Sequence, residues 1–104
     1  MKFLLPLSDF LESLEEFSTE GEWKGDIVGI ATLSEATEGD LSFLGNSKYT
    51  QDVGRSRASI ILLPKDFEGS PQSQQLFVRV DNPSLSLGRF CRLLESRFWP
   101  RPPV

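Results

Sequence analysis

Polar and apolar positions along this chain change period several times, and each change marks an element. Ser8 to Phe17 reads as a helix, because Phe10, Leu11, Leu14 and Phe17 fall near the i, i+3, i+4, i+7 spacing of one buried face. Ser8 stands where a capping hydroxyl is wanted, and Glu12, Glu15 and Glu16 take the solvent side. Those acids form a solvated helix face rather than a paired-carboxylate site. Gly21 and Gly25-Asp26 bracket a short segment around Trp23, and the β-branched run Ile27 to Leu33 predicts a strand. Ser34 to Asp40 is turn chemistry, with Gly39-Asp40 resetting the chain direction. Leu41 to Leu44 predicts a short apolar strand, broken by Gly45-Asn46, and Ser47 to Val53 predicts one to two helical turns ending near Gly54. The unbroken apolar run Ala58 to Leu63 fits a strand buried on both faces and stopped by Pro64.

Lys65 to Gln75 is a polar loop, and Leu76 to Val80 the next strand. Asn82 as cap and Pro83 at the first helical position open a helix that runs to about Phe98, with Leu87, Phe90, Cys91, Leu94 and Phe98 on one face. Trp99 to Val104 reads as an extended Pro-rich linker, an odd place for a natural protein to stop. The order predicts one small α/β domain over residues 1–99, a mixed sheet with flanking helices, and a linker starting at 100–104.

Composition narrows the chemistry. The 104 residues suit one domain, and 38% apolar residues with eight Phe suffice for a core. Fifteen acids against eleven bases argue against a nucleic-acid partner, which wants a basic surface. One cysteine, Cys91, gives no internal disulfide and reads as a small buried apolar residue. The apolar start ends at Pro6 and is followed at once by acids, so no signal peptide is expected, and no stretch approaches a membrane span. A cytoplasmic location follows by default. There is no histidine, no phosphate loop and no nucleophile elbow, so no cofactor is expected, and the chain looks like a binding module rather than a whole enzyme.

The stretch Leu41 to Tyr49 carries the candidate site. Phe43 and Tyr49 are two rings able to sandwich a flat heterocycle, and Asn46 between them is an amide able to read its edge. Each residue has a plainer role: Phe43 in the core, Tyr49 half-buried, Asn46 capping the helix that begins at Ser47, and Lys48 solvated. Arg55 and Arg57 flank the segment as diphosphate contacts or as surface charges.

These residues resemble the N-terminal, uridine-binding domain of the UDP-3-O-(3-hydroxyacyl)glucosamine N-acyltransferases of lipid A biosynthesis. The resemblance rests on Ile27 to Leu33, Ala36 to Leu44, Asn46-x-Lys48-Tyr49, Ser56-x-Ala58 and Val80-x-Asn82-Pro83-x-Leu85, and spans nearly the whole chain. It implies a uracil ring between Phe43 and Tyr49, an Asn46 contact to the nucleotide, and Leu33 where the family has an aliphatic residue near the base. It further implies a following left-handed β-helix that forms a homotrimer and supplies a catalytic histidine, with UDP-3-O-acylglucosamine as acceptor and acyl carrier protein as donor. This chain stops before such repeats and has no histidine, so the expectation is a domain that binds nucleotide and does not itself transfer an acyl group. It also departs from the family at Ile60, where a small residue is usual. The rival readings are a stand-alone UDP-sugar-binding or regulatory module, and the small N-terminal domain of the ligases that build peptidoglycan precursors.

Overall fold

The structure, a computed structural model, describes residues 2–14 and 16–98. Its centre is a mixed sheet of β1 (Lys2–Pro6), β2 (Ser18–Gly21), β3 (Asp26–Ile30), β4 (Asp40–Phe43), β5 (Ile60–Pro64) and β6 (Leu76–Val80). The six strands lie in the order β1-β3-β4-β5-β6-β2. The inner four run parallel, and β1 and β2 close the two edges antiparallel. Among the described residues the α-helices α1 (Leu7–Glu12), α2 (Thr50–Val53) and α3 (Pro83–Phe98) and a 3-10 turn (Ser47–Tyr49) complete the fold. The predicted α/β domain with a mixed sheet and flanking helices is what the chain adopts.

Alternate side chains of β5 explain its unbroken apolar run. Ile60 and Leu62 enter a core with Phe10 of α1 and Phe90 and Leu94 of α3. Ile61 and Leu63 enter a second core with Leu33, Ala36, Leu44, Val53 and Phe77. A strand covered on both faces has no position that favours a polar residue. Phe90 joins Phe10 in an edge-on contact, with centroids 4.7 Å apart.

Several boundaries differ from the sequence reading. The first helix is shorter than Ser8 to Phe17: Pro6, not Ser8, is its N-cap, with no side-chain cap bond. It closes at Ser13, whose hydroxyl donates to the Phe10 carbonyl at 2.6 Å and competes with helix propagation. Ser18–Gly21, to which the sequence reading gave no element, pairs with Arg79–Leu76 on the open edge of β6. Phe17 is consequently 40% exposed rather than part of a buried face. The first residues form β1, an edge strand that the sequence reading did not anticipate. Glu15, the side chain of Phe98 and the linker at 99–104 lie outside the described residues.

The expected strand Ile27 to Leu33 ends at Ile30. Glu35 and Ala36 then donate their N–H groups to the Thr32 carbonyl at 3.1 and 2.9 Å, folding Thr32–Ala36 into a turn. The Gly39 turn behaves as its chemistry suggests. Gly39 has φ +90, and a Cβ there would lie 2.7 Å from Val28 Cγ2. Its N–H donates to Ser59 Oγ at 2.8 Å, while the Asp40 carboxylate accepts the Thr37 N–H at 3.0 Å. At the far end Asn82 caps α3, accepting the Leu85 N–H at 3.1 Å.

Candidate functional site: an aromatic-walled cavity at the strand ends

The inner strands are parallel, so their carboxyl ends lie together, the usual place for a ligand in an open α/β sheet. There the turn after β3, the segment after β4 and the first turn of α3 enclose a cavity of about 610 Å³. Leu33, Phe43, Asn46 and Tyr49 all line it, so the structure brings the four candidate residues to one place. Arg55 and Arg57 are exposed and do not line it.

Each wall has a local cause. Phe43 ends β4 on the same face as Leu41, so it packs partly on the core and partly on the cavity. Gly45 lets the Phe43 ring lie close over the chain: a Cβ at 45 would sit 2.7 Å from Phe43 Cε2 and 3.0 Å from Ser84 Oγ. Leu33 is 6% exposed and belongs to the second core, so it supplies apolar floor rather than a movable contact. Tyr49 is 45% exposed, and the Lys48 ammonium sits 5.2 Å from its ring centroid.

Asn46 fills its plainer role as well. It caps the 3-10 turn Ser47–Tyr49 that precedes α2, its Oδ1 accepting the Lys48 N–H at 3.0 Å. That bond occupies the amide oxygen and leaves the NH2 without a partner among the described residues, a free donor on a residue that lines the cavity.

Sequence reasoning missed part of the lining: Thr32, Ser34, Glu35, Gly45, Asp52 and Ser84. Gly45 stands inside the Leu41–Tyr49 stretch itself, and Asp52 lies one helical turn beyond Tyr49. Thr32, Ser34 and Glu35 arrive through the turn after β3, and Ser84 from α3. Among the described residues no hydrogen bond joins a lining hydroxyl of Thr32, Ser34 or Ser84 to Glu35 or Asp52, and no group of three His, Cys, Asp or Glu could hold a metal ion. Cys91 is half-buried on α3, away from the cavity. Burial pushes its thiol up from the ordinary range, with the Glu95 charge adding to this. No helix among the described residues is long and apolar enough to cross a membrane.

Residues 26–93, which include every residue lining this cavity, match the family described as UDP-3-O-(3-hydroxymyristoyl) glucosamine N-acyltransferase, LpxD. The chain belongs to the LpxD family. It is 39% identical over 83 residues to UDP-3-O-acylglucosamine N-acyltransferase 2 of Gloeobacter violaceus, covering 80% of this chain and 21% of that protein. It is 35% identical over 92 residues to the UDP-3-O-acylglucosamine N-acyltransferase of Methylacidiphilum infernorum, covering 88% and 24%. The corresponding Francisella tularensis protein is 33% identical over 94 residues, covering 90% and 27%. The chain thus spans about a fifth to a quarter of the length of these LpxD relatives.

Proposed function

We propose that residues 1–99 are the uridine-binding domain through which an LpxD-type N-acyltransferase holds UDP-3-O-acylglucosamine. The observation that carries this reading is the shared cavity of Phe43, Asn46, Tyr49 and Leu33 in a chain of this family. In it the uracil ring stacks between Phe43 and the face of Tyr49 opposite Lys48. The Asn46 NH2 donates to a uracil carbonyl, since its oxygen already accepts the Lys48 N–H. Leu33 provides the apolar floor.

The domain works as a handle. Stacking is worth roughly 1–3 kcal/mol per ring, before ordering costs are set against it. That binding energy, remote from the reacting amine, holds the acceptor where its amine meets the acyl group. In the reaction the glucosamine amine attacks the thioester carbonyl of a 3-hydroxyacyl acyl carrier protein. The C–S bond breaks, an amide forms, and a base takes the amine proton. We assign that base to a histidine on a trimeric β-helix beyond this domain, and the whole process to lipid A assembly in the cytoplasm.

Titration of the chain with UMP or UDP-N-acetylglucosamine, followed by NMR, tests the handle. Shifts concentrated at Phe43 and Tyr49 support it, and unchanged spectra at millimolar ligand refute it.

A further inference from the structure

The crossover from β4 to β5 brings Asn46 and Tyr49 to the cavity. Its helix α2 has four residues and no side-chain cap bond, and a helix that short has no stability of its own. Val53 and Ala58 anchor the crossover in the second core, while Tyr49 is half-exposed. Among the described residues, the hydrogen bonds that tie residues 45–58 to the rest of the domain come from two glutamines of the loop before β6. Gln72 Nε2 donates to the carbonyl of Gly54, the C-cap of α2, at 2.9 Å, and to the Ser56 carbonyl at 3.3 Å. Gln75 Nε2 donates to the Ala58 carbonyl at 2.9 Å and to the Ser56 carbonyl at 3.3 Å.

The two amides act as one unit. Gln75 is buried, and its Oε1 accepts the Gln72 N–H at 3.0 Å, so the side chain that grips the crossover also closes the turn that presents Gln72. Gln74, inside that turn, has φ +60, a left-handed backbone at a residue with a side chain. Such a conformation persists only where its surroundings over-determine it. The two cavity walls therefore differ in how they are held. Phe43 is fixed by its pairing with Leu62 in the sheet, whereas Tyr49 rides on a strap whose polar ties are these glutamines.

Building on the uridine reading above, we infer that Gln72 and Gln75 are positioning residues, whose clasp on Gly54, Ser56 and Ala58 seats the Tyr49 wall against the Phe43 wall before any ligand arrives. Neither glutamine lines the cavity, so both act through the crossover. When the clasp is loosened, affinity falls by the fraction of time the wall is out of place.

Gln72 is exposed, so Gln72→Ala removes its donor bonds without opening the core. The 104-residue chain and its variants are titrated with uridine, and amide hydrogen exchange is followed by NMR. Gln72→Ala weakens uridine about three- to tenfold, the scale of one or two released hydrogen bonds. It speeds exchange in the ligand-free chain selectively at residues 51–56. At saturating uridine its Tyr49 ring resonances match those of the parent complex, because the ligand restores the seat. Gln72→Lys, which returns a donor, recovers most of the affinity, and Gln75→Ala weakens uridine further, read on its folded fraction. Leu94→Val destabilises the domain from the other core and leaves uridine affinity unchanged. Gln72→Ala that binds uridine within twofold of the parent, loses no more affinity than Leu94→Val, or exchanges at 51–56 as slowly as the parent overturns the inference and leaves the uracil reading intact. Failure of uridine to bind the parent chain overturns both.

Discussion

A methyl group placed on Gly45 would fall 2.7 Å from Cε2 of Phe43 and 3.0 Å from Ser84 Oγ. Carbon atoms in contact prefer separations of about 3.5–4.0 Å, so Gly45→Ala requires the ring to retreat by about 1 Å. Ser84 can turn its hydroxyl away, but Phe43 is partly packed against the core, and the free space beside it is the cavity. Overpacking of this kind costs about 1–3 kcal/mol, and the reduced freedom of the unfolded chain returns about 0.4–1 kcal/mol. The net loss of about 1–2 kcal/mol lowers the melting temperature by roughly 4–15 °C for a domain of this size. Binding suffers separately: a displaced ring forfeits much of a stacking contact of roughly 1–3 kcal/mol, weakening uridine about five- to a hundredfold. Gly54→Ala is the control. Gly54 has helical φ −68 and ψ −16, and its nearest neighbour to an added Cβ is 3.9 Å away, so this variant keeps both stability and binding. Thermal melts and uridine titrations of the two variants are the assay. A folded Gly45→Ala chain that binds uridine within twofold of the parent would refute the assignment of Phe43 as a cavity wall.

Other substitutions test the frame. Asn82→Ala removes the acceptor of the Leu85 N–H and should cost about 1 kcal/mol in chemical denaturation, with Asn82→Asp or Asn82→Ser restoring most of it. Gly88 lies inside α3 with open space where a Cβ would be, so Gly88→Ala should stabilise by about 0.5–1 kcal/mol in the same assay. The raised pKa of Cys91 means that the folded chain keeps a proton which the unfolded chain releases above the ordinary thiol range. Its stabilising effect is therefore complete below the unfolded pKa and is lost as pH rises through the folded one, so Cys91→Ala should flatten the alkaline fall in stability measured across that interval.

How much of this was legible in the sequence follows from where each signal resides. β5 and β6 were readable because Ile60 to Leu63 and Leu76 to Val80 are apolar enough to demand burial wherever they pack. Asn82-Pro83 named the start of α3 by local chemistry alone. The edges were not readable. Ser18–Gly21 has no buried residue and becomes a strand by pairing with the free edge of β6. Arg79 then anchors it, pairing with Glu20 at 2.8 Å and bonding the Gly69 carbonyl at 3.0 Å. A buried loop anchor escaped too: Gln75 sits in the polar loop yet is 3% exposed, its amide donating to the Ala58 carbonyl at 2.9 Å.

The candidate site divides along the same line. Phe43, Asn46 and Tyr49 lie within one short segment, so they could be grouped from spacing, and Leu33 came through family resemblance. Asn46 shows a limit of that grouping. Its capping bond was one of two readings from sequence, and the structure shows that bond occupying the oxygen while the NH2 stays open. Glu35 and Ser84 reach the cavity from distant segments, and nothing in their local sequence marks them.

The central claim is that a uracil ring lies between Phe43 and Tyr49. Intermolecular nuclear Overhauser effects from uracil H5 and H6, in the complex of this chain with uridine, test it most directly. The account predicts contacts to the ring protons of both Phe43 and Tyr49. Bound uridine whose H5 and H6 contact neither ring would contradict it.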